Sequence, residues 1–398
     1  MQFKYITYRA NKEQKLTLII EKNNMTPFNK PYITGKEVHY IYDAVSSGHL
    51  SGNGKYTKLC QAYFEEKLGA KKTLLTTSCT DALEMCAMLA NIGVGDEVIV
   101  PSYTFVSTAL AFDRQGAKII FADSREDHPG VDESKIEALI TPKTKAIVVV
   151  HYAGVACDMD VIMDIAKRHN ILVIEDAAQA IDAYYKGKPL GTIGHLGTFS
   201  FHETKNIQCG EGGLLIINDD RFVHRAEILW EKGTNRAEFF RGEINKYGWV
   251  DTGSSFLPSE VTAAFLWAQL EGLDDIQAKR RELWHSYYNM LKPLENKGLF
   301  KLPTLPNFAT NNGHMFYLIF ETLEKRTSFI KNLGNLDIKA VFHYLSLHDS
   351  DYIKQKGFPS VHLPHSDRYS NTLVRLPMFY ELDRTVINTV EKVLNELI

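Results

Sequence analysis

Three short segments hold residues whose types and order could act together chemically. In Ser78-Cys79-Thr80-Asp81, small hydroxyl-bearing residues lie between an apolar run and a helical pattern. A strand, such a turn and a helix N-terminus present free backbone N–H groups and the positive end of the helix dipole, which suits a phosphate; an ordinary Ser/Thr helix cap has the same appearance. In Glu175-Asp176-Ala177-Ala178-Gln179, Asp176 follows the apolar run that starts at Ile171. A carboxylate at a buried strand end is costly unless a cation faces it, and the plain alternative is an Asp capping the next turn. In Ser200-Phe201-His202-Glu203-Thr204-Lys205-Asn206, the lysine lies between two apolar runs and is followed by the glycine turn Gly210-Glu211-Gly212-Gly213. A desolvated lysine has its pKa lowered and serves as nucleophile and base. Most lysines are solvated and inert, so the glycine turn and the preceding Asp176 are what set Lys205 apart.

Those segments need elements to hold them. Between Lys72 and Asn218, short β-branched runs alternate with helical stretches, the pattern of an α/β sheet covered on both faces. The expected strands are Thr73–Thr77, Glu97–Val100, Lys118–Asp123, Ala146–Val150, Ile171–Glu175, Gly197–Phe201 and Leu214–Ile217, with helices such as Asp81–Leu89 and Asp158–His169 between them. The βαβ order predicts a largely parallel, right-handed wound sheet, in which ligands bind beyond the strands' carboxyl ends. All three segments fall just after a strand. From about residue 255 a long amphipathic helix, Ser259–Leu273 and on to Leu291, leads to short strands at Phe316–Phe320 and Lys339–Tyr344 mixed with helices. The expected division is an N-terminal extension at 1–24, a large domain at 25–285 and a smaller α/β domain at 286–398.

Composition narrows the function. The chain has 398 residues, 44% of them hydrophobic, with 45 Lys+Arg against 48 Asp+Glu for a net charge of −3. That balance lacks the basic footprint of a nucleic-acid binder. The five cysteines, Cys60, Cys79, Cys86, Cys157 and Cys209, have neither Cys-x-x-Cys nor metal-ligand spacing and read as reduced thiols. No metal site is expected. No apolar run reaches the roughly 18 residues of a membrane span, so a cytoplasmic protein is expected. Gly52-Asn53-Gly54-Lys55 lacks the remaining positions of a P-loop, His202-Glu203 lacks the second zincin histidine, and there is no Gly-x-Ser-x-Gly elbow.

The phosphate turn, strand-end Asp and strand-flanked Lys, in that order, resemble fold-type I pyridoxal-phosphate enzymes. Ser78-Cys79-Thr80-Asp81-Ala82-Leu83, Pro101-Ser102-Tyr103-Thr104-Phe105, Glu175–Gln179 and Ser200-Phe201-His202-x-x-Lys205 with Gly210–Gly213 are similar to the DegT/StrS-type sugar-nucleotide aminotransferases, over nearly everything from Met25 onward. The resemblance implies an α/β fold of fold type I: a seven-stranded, mostly parallel sheet and a smaller C-terminal α/β domain. It also implies pyridoxal 5'-phosphate as cofactor. Lys205 would bond it covalently, Asp176 would pair with its ring nitrogen, and Gln179 would lie near its ring hydroxyl. Phe105 would stack on the ring, and Ser78, Cys79, Thr80 and Ser200 would surround the phosphate.

Further stretches, His151–Cys157, Glu231–Arg236, Phe239–Gly242 and Ala340–Tyr344, resemble members that aminate C4 of dTDP-4-keto-6-deoxy-D-glucose from L-glutamate, giving dTDP-4-amino-4,6-dideoxy-D-galactose and 2-oxoglutarate. Amination to the gluco epimer, or at another keto position, is the near alternative, and a non-catalytic regulator with the same domain the distant one. Sugar dehydratases of the family carry His in place of the lysine, and Lys205 is present. A homodimer with interfacial active sites is implied. Ser255-Phe256-Leu257 stands where many relatives have Asn-aromatic-Arg, a segment that reaches the neighbouring subunit's cofactor phosphate, so Ser255 is expected there. Asn235, Arg236, His343 and Tyr344 are expected to contact the nucleotide sugar.

Overall fold

Short runs that are apolar at nearly every position have no wet face and must be covered on both sides. The computed structural model, which describes residues 25–397, gathers seven such runs into one sheet: β1 (Lys72–Thr76), β2 (Glu97–Pro101), β3 (Lys118–Ala122), β4 (Thr144–Val150), β5 (Leu172–Asp176), β6 (Leu196–Ser200) and β7 (Gly213–Ile217). The extension expected at 1–24 lies outside the described residues. The strand order is β1-β7-β6-β5-β4-β2-β3. Six strands run one way, and β7 is antiparallel to β1 and β6. The connection from β6 to β7 contains no helix, so the chain turns back and pairs antiparallel. That turn carries Lys205. Each expected strand is found, with its ends shifted by one or two residues.

Alternation along the strands sends neighbours to opposite faces. Leu75, Ile147, Val173 and Leu214 enter one core with Ala44 of α1 (Glu37–Ser46) and Phe64 of α2 (Lys55–Leu68), whereas Leu74, Val148, Ile174 and Leu215 enter the other with Leu83 of α3 (Cys79–Leu89) and Phe112 of α4 (Ser107–Asp113).

The expected long helix is two: α5 (Glu260–Glu271), capped by Ser259, and α6 (Leu273–Glu295), interrupted at Gly272, whose backbone is non-helical. Leu273 and Ile276 of α6 belong to the first core, while Leu283, Tyr287 and Leu291 belong to that of a second sheet. That sheet holds β8 (Phe300–Lys301), β9 (Phe316–Phe320), β10 (Val341–Phe342) and β11 (Leu373–Leu376) in the antiparallel order β8-β9-β11-β10. The strand expected over Lys339–Tyr344 is thus only β10, because His343 and Tyr344 leave the sheet for the interior between the two sheets.

Arg280 of α6 ties these parts together. Buried, its guanidinium donates to the carbonyls of Gly313 (3.0 Å), His314 (2.7 Å) and Met378 (3.4 Å). Burial lowers its pKa to about 10. Arg280→Met keeps most of the bulk but orphans these carbonyls, so a loss of about 2–4 kcal/mol is expected. In a thermal scan that is a fall of roughly 4 °C or more; an unchanged midpoint would contradict the assignment.

Candidate active site

Beyond the carboxyl ends of the parallel strands, between the two sheets, lies a cavity of about 600 Å³. Its floor starts at the β1–α3 turn. Ser78 has extended backbone, and its hydroxyl accepts the Asp81 N–H at 3.1 Å, capping α3. The cap satisfies one amide of the first turn, and the others there have no carbonyl within the helix to bond. Thr80 and Ser107 hydroxyls, 2.8 Å apart, and Ser200 line the same space. Amides at a helix N-terminus among hydroxyls are a donor set for a phosphate dianion.

Gly213, the first residue of β7, passes so close behind this turn that a Cβ there would lie 2.4 Å from the Ser78 carbonyl carbon and 2.5 Å from the Cys79 nitrogen. Both are backbone atoms that cannot swing aside. Gly213→Ala is therefore expected to push the turn out of place and weaken cofactor binding by about tenfold or more, measured by titrating the apoprotein and following absorbance.

Asp176 closes β5. Its carboxylate accepts from the Thr108 hydroxyl at 2.7 Å and the Ala178 N–H at 3.2 Å. Burial pushes its pKa up, and no Lys, Arg or His among the described residues forms an ion pair with it. A buried carboxylate without a cation suits a protonated ring nitrogen. Its neighbour Glu175 points to the other face, where the N–H groups of Gly191 and Ile193 and the ring of His151 occupy it.

Lys205 also lines the cavity, and desolvation lowers its pKa. Asn206, the next residue, anchors the loop: its amide nitrogen donates to Gln277 Oε1 (2.7 Å) and the Asn312 carbonyl (2.9 Å). Its oxygen must then accept, so His314 Nδ1, 2.8 Å away, carries the proton and Nε2 is left as an acceptor. Burial keeps His314 and His343 neutral by lowering both pKa values well below the ordinary imidazole value. Gln179 accepts from the Ala153 N–H (2.6 Å) and donates to the Tyr344 hydroxyl (2.9 Å). His343 stacks on Tyr344 at 3.6 Å and bonds the Tyr152 hydroxyl at 2.6 Å. Phe105 is 56% exposed, leaving a ring face at the cavity wall.

Of the residues expected from sequence, Ser78, Cys79, Thr80, Phe105, Asp176, Gln179, Ser200, Lys205, His343 and Tyr344 line this one cavity. Ser255, Asn235 and Arg236 do not. Ser255 is exposed and bridges backbone with Glu231, Asn235 accepts the Gly248 N–H at 2.9 Å, and Arg236 faces Glu231 at 3.4 Å. Sequence reasoning missed Ser107, Thr108, His314 and Arg375. The one available signal was a single charge inside an apolar run, Leu373-Val374-Arg375-Leu376.

The residues fit pyridoxal phosphate: donors for its phosphate, an unpaired buried carboxylate for its ring nitrogen and a desolvated amine for its aldehyde. Comparisons with known proteins agree. Residues 31–395 match the DegT/DnrJ/EryC1/StrS aminotransferase family. The chain is 30% identical over 389 residues, 96% of its length and 99% of the relative's, to the spore coat polysaccharide biosynthesis protein SpsC of Bacillus subtilis (strain 168). The putative sugar aminotransferase Spr1654 of Streptococcus pneumoniae in its PMP form superposes with a TM-score of 0.85 at 25% identity, over 94% of this chain and 98% of that one. DesV of S. venezuelae does so with a TM-score of 0.85 at 28% identity, again over 94% and 98%. The chain belongs to the DegT/DnrJ/EryC1/StrS aminotransferase family and is a sugar aminotransferase that depends on pyridoxal phosphate.

Proposed function

We propose that the chain moves the amino group of L-glutamate to C4 of dTDP-4-keto-6-deoxy-D-glucose, giving dTDP-4-amino-4,6-dideoxy-D-galactose and 2-oxoglutarate. The observation that carries the chemistry is the meeting of Lys205, Asp176 and the Ser78–Thr80 turn in one cavity. The sugar class is supported by the names of the relatives, and the C4 position and galacto outcome by the likeness of His151–Cys157, Glu231–Arg236 and Ala340–Tyr344 noted above.

When bound, pyridoxal phosphate supplies an electron sink for a C–H bond broken at the donor's α-carbon. The chain does the rest. The turn at Ser78–Thr80, with Ser107 and Ser200, would hold the phosphate end. Asp176, fixed by Thr108 and Ala178, would pair with the ring nitrogen and keep it protonated. Phe105 would stack on the ring, and Gln179 would hydrogen-bond near its hydroxyl. Lys205 Nζ, which desolvation makes a weaker holder of its proton, would anchor the cofactor before the donor arrives and, once free, would take the donor's α-proton and later give it back. With the ketosugar in place the same amine runs the sequence backwards, so the kinetics are ping-pong. We assign Ser255 to the neighbouring subunit's cofactor phosphate in a homodimer, and Asn235 and Arg236 to contact with the sugar nucleotide. The protein works in the cytoplasm.

The test is incubation with dTDP-4-keto-6-deoxy-D-glucose and L-glutamate, with the product examined by NMR. An axial C4 amine is expected; an equatorial amine would replace galacto by gluco, and no amination at C4 would overturn the substrate assignment.

A further inference from the structure

Two ionisable side chains, His151 and Glu175, take no part in the steps above and do not line the cavity. Both are fully buried, His151 just after β4 and Glu175 on β5 beside Asp176. Glu175 Oε1 accepts the N–H groups of Ile193 (2.6 Å) and Gly194 (2.5 Å), while Oε2 accepts that of Gly191 (2.8 Å) and meets His151 Nε2 at 2.8 Å. The Cys157 N–H donates to His151 Nδ1 at 3.3 Å, so the ring proton is on Nε2 and points at Glu175. All the partners of Glu175 named here are donors, a set that a carboxylate answers. One side chain thus joins the end of β4, the end of β5 and the turn that leads into β6 and on to Lys205.

The backbone carries this constraint to the cavity. The His151 N–H donates to the Asp176 carbonyl at 3.2 Å. Two residues on, Ala153 has a φ of 58°, a left-handed conformation that a residue with a Cβ adopts at a cost. In that conformation its N–H donates to Gln179 Oε1 at 2.6 Å. Gly154 follows with a φ of 76°, and a Cβ there would lie 2.1 Å from Asn312 Oδ1. Such strain persists only where the surroundings over-determine the chain, and a buried carboxylate that has no Lys or Arg partner is a poor source of stability. Both features lie directly behind Asp176 and Gln179.

Resting on the aminotransfer reading, we infer that His151 and Glu175 are positioning residues: their hydrogen bond sets Asp176 toward the cofactor's ring nitrogen and Gln179 toward its ring hydroxyl, although neither touches the cofactor. The pair acts through Asp176, so its loss should matter only while Asp176 is there to be positioned. A pair that merely held the fold together would matter to the same degree whatever stood at position 176.

The test is a double-mutant cycle on the full chain: native, His151→Leu, Asp176→Asn and the two together. Two quantities are read: the dissociation constant of pyridoxal phosphate, from titration of the apoprotein, and kcat of the loaded protein. Alone, His151→Leu is expected to weaken cofactor binding about tenfold and to lower kcat on the order of thirtyfold. On top of Asp176→Asn it should change either by no more than about twofold. His151→Gln, whose amide again donates to Glu175, should come back to within about threefold of the native chain in both. Glu175→Gln keeps the length but sets an N–H against donors; it should repeat the His151→Leu pattern and serves if that variant does not fold. Equal losses with and without the Asp176 carboxylate, a Gln variant as poor as the Leu variant, or no loss at all would overturn the assignment. A loaded native chain that forms no 2-oxoglutarate from L-glutamate would instead overturn the aminotransfer reading, while the binding arm of the cycle would still judge the positioning of Asp176.

Discussion

Lys205→Ala is expected to fold, to hold pyridoxal phosphate through the Ser78–Thr80 turn and to transfer amino groups at no more than about a thousandth of the native rate. The reason lies in where the amine sits. Lys205 follows β6 on a loop pinned at its next residue by Asn206, whose side chain contacts Gln277, Asn312 and His314. The amine is thus placed, desolvated and lowered in pKa. Water cannot substitute for it, having neither a fixed position nor a covalent route to the aldehyde. Arg at this position would keep a cation but could not deprotonate to act as base. The check is turnover together with a melting scan and a cofactor titration. A folded, loaded Lys205→Ala protein with full turnover would sink the mechanism.

Asp176→Asn should pull function and stability in opposite directions. Burial raises the carboxyl pKa of Asp176 above its ordinary 3.8. For an acid this means that, above about pH 3.8, the folded apoprotein holds on to a proton that the unfolded chain gives up. Stability is therefore lost as pH rises through the folded-state value, and stays lost above it. The neutral amide escapes that cost: at pH 7 the variant apoprotein should melt higher than the native apoprotein, and below about pH 4 the two should melt together. With the cofactor bound the order reverses, since the ring nitrogen then finds no anion. Turnover should fall on the order of 10²- to 10³-fold. Equal melting of both apoproteins at pH 7 would show that the carboxylate is solvated or paired in a way the geometry excludes.

The parts of the site legible in the sequence were those set by local chain order. Asp176 ends a run that can only be a buried strand, Ser78–Thr80 joins a strand to a helix, and Lys205 lies in a glycine-backed turn between two strands. Each can be located without knowing what lies opposite. Arg375 and His314 could not be found this way, because more than a hundred residues separate either from Lys205 and only the packing of the second sheet against the first brings them in. The reversal of β7 was equally hidden: an apolar run buried on both faces has no direction of its own. The break at Gly272 was visible as a glycine, but the apolar spacing continues across it and outweighed it. Asn235, Arg236 and Ser255, identified by likeness alone, lie outside the cavity of their own chain.

The most direct test of the central claim, that one Lys205-centred cavity carries both halves of an amino transfer, is the amount of 2-oxoglutarate formed per chain after L-glutamate is added to the pyridoxal-phosphate-loaded protein. Without a ketosugar the yield should stop at one equivalent per chain, and it should become catalytic once dTDP-4-keto-6-deoxy-D-glucose is supplied. No release, or release that continues without any amino acceptor, would contradict the account.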